Sequence, residues 1–318
     1  MLSRVADSLY WIGRYLERAE HTIRVLDVNL NLMLEGPASK TDDRLQRLMI
    51  ALAVPDSLHD RKLDDLVDAM CFDVSNPASV SASIGAAREN ARQVRDEISS
   101  EQWQKLNRLY HRTAEMRAPR GYATLSDLLQ TLLDGLHLFE GVTDTTMPHG
   151  EGWQFIRAGR YMERSSAIAT LLELYYRHPF SAPEGMIDST QYLEWVGLLR
   201  CCTAFEAFCT IYTADLTPGR VLEFLLLSPL FPHSLRYSVN CLVESLTGIQ
   251  REGRRSSSED LVRRAGRLQA SLSFAQIDEI LARDTAAYLH DVLGQCRIIQ
   301  ELIYRLYISY SVDTALAV

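Results

Sequence analysis

Residues 13–18 read Gly-Arg-Tyr-Leu-Glu-Arg, inside the longer stretch "SRVADSLYWIGRYLERAEHTIRVLDVNL" (residues 3–30), and 146 positions later the chain writes Gly-Arg-Tyr-Met-Glu-Arg at residues 159–164. Around the first copy, Leu9, Ile12, Leu16, Ala19, Ile23, Leu26 and Leu30 recur at alternating steps of three and four. That spacing gathers apolar side chains on one face of a helix. Around the second copy, Phe155, Ala158, Met162, Ser165, Ala169 and Leu172 fall in the same register as the first six of those residues. Identities held at one offset, together with a shared apolar seam, read as an internal duplication.

With about 100° of rotation per residue, the seam takes one side of the first helix, and Arg14, Glu17 and His21 cluster roughly opposite, with Arg18 on one flank. The plain reading is a solvated face on which Arg14 pairs with Glu17 and Glu17 with His21, each pair contributing about 0.2–0.5 kcal/mol. Two features argue for a buried position. Tyr10, Trp11 and Tyr15 surround the charges with aromatic surface, as in a central helix, and the arrangement is written twice. Two central motif helices would carry Arg14, Glu17, Arg18, Arg160, Glu163 and Arg164 into the interior, where an unpaired charge costs several kcal/mol. Those groups must pair with one another or hold a ligand. Four guanidinium groups against two carboxylates suit an anionic ligand, because the guanidinium fork matches carboxylate and phosphate.

Outward from the motif, helical periodicity recurs almost everywhere and strand alternation almost nowhere, so the expected fold is an all-α helical bundle with an internal pseudo-two-fold repeat built on the two motif helices. The first helix is expected over residues 3–34, ended by Gly36-Pro37. Further helices are expected over 41–54, 60–72, 77–98, a segment containing Trp103 and Asn107, 124–144, 151–177, 190–212, 220–227, 232–250, 257–272 and 275–310. Ser75-Asn76-Pro77 should cap the fourth helix, and Ser99 or Ser100 the fifth. Segments 177–186 and 251–260 read as exposed connections. The expectation is one domain over 1–318, with repeat halves of about 1–146 and 147–318.

The 318 residues carry a formal charge of −8, with a pI near 5.5 and 47% apolar residues. A sizeable core is affordable, and the acidic balance argues against a general nucleic-acid binder, which needs a basic face. Six cysteines form no Cys-x-x-Cys pair and sit in apolar helical settings that suit reduced thiols. The first residues acquire charge too early for a secretory leader, and the longest apolar run, "VLEFLLLSPLF" (residues 221–231), is short of a membrane helix. A cytoplasmic location without a membrane partner is expected.

Other chemistries fare worse. No Glu-x-x-His occurs, so a di-metal carboxylate site is not expected and no metal is assigned. Cys201, Cys202 and Cys209 share a helix with Leu198, Leu199, Phe205 and Phe208, a packing environment rather than an activated one. Arg200 and Glu206 flank that pair and could join the same polar interior. Pro232 fits a first helical turn, which would set His233 and Arg236 near a positive helix end and into an anion site. Arg88 and Arg92 read first as part of a charged helical face with Glu89. No phosphate-binding glycine loop is present, so the chain should not activate a carboxylate by itself.

At this point the residues carry a resemblance. The opening stretch 3–30, "ARENARQVRDEISSEQWQKLN" (87–107), "GWQFIRAGRYMER" (152–164), "LLRCCTAFEAF" (198–208) and "FLLLSPLFPHSLRY" (224–237) resemble the bacterial alpha-E family, an all-helical domain with a Glu-Arg motif. His233 stands where that pattern often carries Arg, and the resemblance brings Arg88 and Arg92 into consideration as site residues. The resemblance implies a companion of a circularly permuted ATP-grasp protein, and of a transglutaminase-like peptidase. ATP and magnesium would sit on the ATP-grasp partner, with no cofactor bound by this chain alone.

Three readings stay open. In one, the chain is a partner module of a peptide or amide ligase system whose duplicated Arg/Glu cleft binds an acidic peptide, an acyl phosphate or another small anion. In another, it is an amide-forming or amide-cleaving enzyme with Glu17 or Glu163 as general base. In the third it is a scaffold holding buried ion pairs. A homodimer is compatible with all three.

Overall fold

The computed structural model describes residues 1–35, 41–54, 63–115, 122–177, 189–213, 215–253 and 258–308. Among them the fold is all-α, with no strand. Helix α1 spans Ser3–Glu35 and α7 spans Glu151–Arg177, and these two form the centre. Between them come α2 (Thr41–Ala51), α3 (Leu63–Cys71), α4 (Val80–Gln93), α5 (Ser100–Glu115) and α6 (Tyr122–Thr146). After α7 follow α8 (Ser189–Cys201), α9 (Phe205–Tyr212), α10 (Pro218–Leu227), α11 (Leu235–Gly253), α12 (Glu259–Phe274), α13 (Ile277–Leu281) and α14 (Thr285–Ile303). Helix α4 lies against α1 and is backed by α5, which packs on α6. Helix α11 lies against α7 and is backed by α12, and α14 contacts both α7 and α12.

The expected seams form the core. Leu9, Ile12, Ala19, Ile23 and Leu26 on α1, and Met162, Ser165, Ala169 and Leu172 on α7, are fully buried. What lets the two helices meet is glycine. A Cβ on Gly13 would stand 2.0 Å from the Ile156 carbonyl oxygen and 2.9 Å from the Arg160 nitrogen. A Cβ on Gly159 would stand 2.0 Å from the Tyr10 carbonyl oxygen and 3.1 Å from the Arg14 nitrogen. The contacts are reciprocal at the offset of the repeated motif, so the helices run parallel and in register with their backbones touching. Only a residue without a side chain fits there.

Several boundaries differ from the sequence expectation, each for a local reason. The span 190–212 is broken into α8 and α9, because Thr203 turns the chain at φ 52° and the Ala204 N–H returns to the Leu199 carbonyl at 2.7 Å. A β-branched residue at positive φ is rare, and neither glycine nor proline marks the break. The span 232–250 begins later: Ser234, whose hydroxyl accepts from the Tyr237 N–H at 3.1 Å, caps α11, and Pro232 stays outside the helix. The span 275–310 divides at Asp284, which accepts from the Ala287 N–H at 3.0 Å and caps α14. The cap of α4 is Ser79, bonded to the Ala82 N–H, rather than Ser75-Asn76-Pro77. Ser99 and Gln102 do form a reciprocal capping box at the start of α5. Gly36-Pro37 and most of the connection 177–186 lie outside the described residues. Among those described, no helix is long and apolar enough to cross a membrane.

A helical Gly→Ala change normally stabilises by up to about 1 kcal/mol. Gly13→Ala or Gly159→Ala should instead destabilise by about 2 kcal/mol or more, as overpacking does. Gly141→Ala and Gly266→Ala, where a Cβ meets nothing within 4 Å, should be neutral or stabilising. Urea unfolding of the four variants measures this contrast.

Candidate functional site: a crossed Arg/Glu cluster beside a cavity

One turn beyond the glycine contact, the two motifs exchange ion pairs. Glu163 receives Arg14 through Nε, and Arg18 through Nε at 2.7 Å and Nη2 at 3.3 Å. Glu17 receives Arg164 through Nε at 2.5 Å and Nη2 at 2.7 Å. The pairing therefore crosses between helices, in place of the Arg14–Glu17 and Glu17–His21 pairs along one helix that a solvated face would have shown. Arg14, Glu17 and Arg164 are each about 5% exposed or less. Aromatic rings line the guanidinium groups: Arg14 sits 5.4 Å from the Trp11 ring, Arg18 5.6 Å from Tyr15 and Arg164 5.5 Å from Tyr161. Such contacts hold a desolvated cation in place. Arg160 turns outward to Glu140 on α6, at 2.5 Å.

The two carboxylates differ. Burial alone would raise both, but at Glu163 the charges of Arg14 and Arg18 outweigh it and hold the carboxyl below its usual range. At Glu17 burial prevails and raises it, because Arg164 is opposed by the Glu20 carboxylate one turn on. Glu20 itself is kept ionised against its own burial by His137, Arg24 and Arg164. It bonds Arg24 at 2.8 Å and lies 3.4 Å from His137. Burial pushes His21 down to about 4 and leaves His233 well below its ordinary value, so both imidazoles are neutral near pH 7.

A cavity of about 390 Å³ opens beside one half of this cluster. Arg18, His21 and Thr22 of α1 line it, with Glu163, Ser166 and Thr170 of α7, the end of α2 and the Pro77-Ala78 turn ahead of α4. The Arg18 side chain is 28% exposed, and its Nη1 has no hydrogen-bond partner among the described residues. The other half, around Arg164, Glu17, Glu20 and Arg24, encloses only about 10 Å³ and is closed by His233, Cys201 and Cys202, room for a single water at most. The motifs therefore border two unequal cavities that share His21 and Ala167. The thiols at the small one are packed, and burial raises Cys202 to about 12.

Of the residues singled out from sequence, Arg14, Glu17, Arg18, Glu163 and Arg164 are brought together and His233 joins them at the small cavity, while Arg160 is paired with Glu140 instead. Arg200 and Glu206 do not join: both are exposed, Arg200 lying 5.4 Å from the Phe205 ring, because the break at Thr203 reorients the segment. Arg236 donates to the Leu227 carbonyl at 3.3 Å, at the α10–α11 connection. Arg88 stacks on Trp103 and Tyr110 and donates to Asn107 at 2.8 Å, and Arg92 pairs with Glu89 in solvent. None of these three contacts the cluster. Sequence reasoning missed Glu20, Arg24, His137 and Glu140. The i,i+4 spacing of Glu20 and Arg24 beside the motif was a usable signal, whereas His137 and Glu140 arrive only through the packing of α6. A second buried cluster was also missed, in which Arg44 and Arg47 of α2 grip Glu194 of α8 at 2.6 and 2.7 Å.

An all-helical chain with Glu-Arg motifs has a counterpart among protein families. Residues 1–308 match the Alpha-E family, described as a predicted alpha-helical domain with a conserved ER motif, and the chain belongs to that family. It is 24% identical to an uncharacterized protein of Mycobacterium bovis and 23% identical to one of Mycobacterium tuberculosis. Each alignment covers 92% of this chain but only 35% of the relative, so the chain spans about a third of the length of the curated proteins it matches. No solved structure matches it.

Removing the charge of Glu163 strands Arg14 and leaves Arg18 unoriented. Glu163→Gln should cost about 3 kcal/mol at pH 7, within the range for breaking a buried pair, while Glu89→Gln on the exposed face should cost under about 1 kcal/mol. Because the folded-state value of Glu163 is depressed, its contribution is present above the ordinary carboxyl value of 4.5 and is lost as pH falls through the folded value. The gap between wild type and Glu163→Gln should therefore close on acidification below that value, which denaturant unfolding across pH 3–7 measures.

Proposed function

We propose that the chain is a helical anion-binding module that works beside a larger partner in a peptide or amide ligase system, and that the cavity at Arg18 and Glu163 is its binding site. The observation that carries this is charge against shape. Two arginines share the single carboxylate of Glu163, and the less buried of them lines a cavity large enough for a small organic ligand. Glu163 fixes the Arg18 fork through Nε and Nη2, so the group is oriented before a ligand arrives.

A general-base role is less well supported. Glu163 is held ionised by two arginines and is a poor proton acceptor, while Glu17 faces a space no larger than one water. The partner is inferred to be a circularly permuted ATP-grasp protein carrying ATP and magnesium, with a transglutaminase-like peptidase as a further companion. The ligand is inferred to be an acidic peptide, an acyl phosphate or a comparable small anion. The greater length of the mycobacterial relatives supports a region that works next to other polypeptide. We also propose that residues 1–146 and 147–318 descend from a duplication. The reciprocal glycine contacts and the matched stacking of α4 on α1 and α11 on α7 support that reading. Cytoplasmic location and absence from membranes and nucleic acid belong to the same proposal, and a homodimer is compatible with it.

Coexpression with the ATP-grasp protein encoded nearest in the source genome tests the partner reading. The two proteins should copurify, and ATP-dependent amide formation should fall at least tenfold with Arg18→Lys, which keeps the charge but not the fork. Failure to copurify, together with unchanged amide formation when this chain is omitted, would remove the ligase partner.

A further inference from the structure

The two unequal cavities are built from equivalent positions. Each α1 or α7 residue lining the large cavity lies 146 positions from one lining the small. Arg18 corresponds to Arg164, Glu163 to Glu17, Ser166 to Glu20 and Thr170 to Arg24. The two sides therefore share one plan and differ in what fills it. On the closed side, the Glu20 carboxylate and the Arg24 guanidinium pair at 2.8 Å within the small cavity, and Glu20 and Arg164 stabilise one another's charge. On the open side, the same positions carry the short hydroxyls of Ser166 and Thr170.

Counting charges along the shared plan gives the consequence. The closed side sets Arg164 and Arg24 against Glu17 and Glu20, while Arg160, the equivalent of Arg14, is balanced by Glu140 of α6. The open side sets Arg14 and Arg18 against Glu163 alone, an excess of one positive charge beside about 390 Å³ of space. Glu20 shows that the plan accommodates a carboxylate: from the position equivalent to residue 166 it lines the small cavity together with Arg164, while bonding Arg24.

We propose that the open half-site binds a small organic monocarboxylate, whose carboxylate takes at Arg18 the place that Glu20 takes at Arg164, and that the closed half-site carries its own internal substitute. A monoanion balances the excess, whereas a dianion would leave unbalanced negative charge beside Glu163. Walls formed by Ala51, Leu52, Ala78 and Ala167 suit a short apolar or amide-bearing tail, such as the C-terminal residue of a peptide. The proposal rests on the anion-binding reading above but not on any partner, so it is tested with this chain alone.

Isothermal titration at low ionic strength with N-acetylglycine, its neutral amide N-acetylglycinamide and inorganic phosphate separates the possibilities. Wild type should bind one N-acetylglycine per chain, about tenfold or more tighter than the neutral amide, which lacks the charged partner of the fork, and tighter than phosphate, whose dianion exceeds the single positive charge in surplus. Ser166→Glu is the decisive variant. It writes the closed side's own carboxylate into the open side, so it should lower N-acetylglycine affinity about tenfold or more while unfolding at the same urea concentration as wild type or higher. Arg18→Gln should lose binding to a similar degree. Absence of saturable binding to folded wild type, tighter binding of phosphate, or wild-type affinity in folded Ser166→Glu would each overturn the proposal. If Ser166→Glu does not fold, the two sides do not share one plan, and the proposal fails on that ground too.

Discussion

The rest of the structure depends on the contact between two helix backbones at Gly13 and Gly159. Because no side chain separates α1 from α7 there, residues one turn further on lie within reach of the opposite helix. Arg14 and Arg18 reach Glu163, and Arg164 reaches Glu17. The apolar seams would associate two helices without any of these charges, and more cheaply: a buried ion pair loses most of its attraction to desolvation, and apolar residues of like volume often serve stability as well or better. Stability alone therefore does not explain a charged crossing written twice.

What a crossed pair supplies is orientation. A lone guanidinium on a flexible stem samples many rotamers, whereas one gripped through Nε and Nη2 by a buried carboxylate and backed by an aromatic ring presents its remaining edge in one direction. Arg18 meets that description, with Glu163 on one edge and the Tyr15 ring 5.6 Å away. Arg164 is held in the same way but is sealed behind His233 and the Cys201-Cys202 turn. The contrast between them is set by neighbours outside the motif. Ser166 and Thr170 leave space on one side, and Glu20, Arg24 and His137 fill it on the other.

Much of the fold was legible because its signals are local. The seams of α1 and α7, a serine cap at Ser99 or Ser100, and the surplus of arginine in the motifs all follow from spacing and side-chain chemistry. Less legible were features that only tertiary packing creates. The break at Thr203 rests on a strained threonine with no glycine or proline to announce it, and it carried Arg200 and Glu206 to the surface. The alliance of Arg160 with Glu140, and of Glu20 with His137, needs α6 to be placed against α1 before the residues can be seen as neighbours. Even the motif was read correctly only in part. Sequence gave reason to bury it, but no reason to expect that its partners would be exchanged between copies rather than kept within one helix.

Each motif's carboxylate serves the other motif's arginine. A double-mutant cycle on Glu17 and Arg164, using Glu17→Gln and Arg164→Met with unfolding free energy as the readout, isolates that interaction from the packing around it. The crossed geometry predicts a coupling of about 2 kcal/mol or more, at the upper end of what contacting residues show. A cycle on Arg14 and Glu17 within one helix should give less than about 0.5 kcal/mol, the scale of an ordinary intrahelical pair. The reverse ranking, with strong coupling along the helix and little across it, would mean that the motifs pair within each helix and not between them.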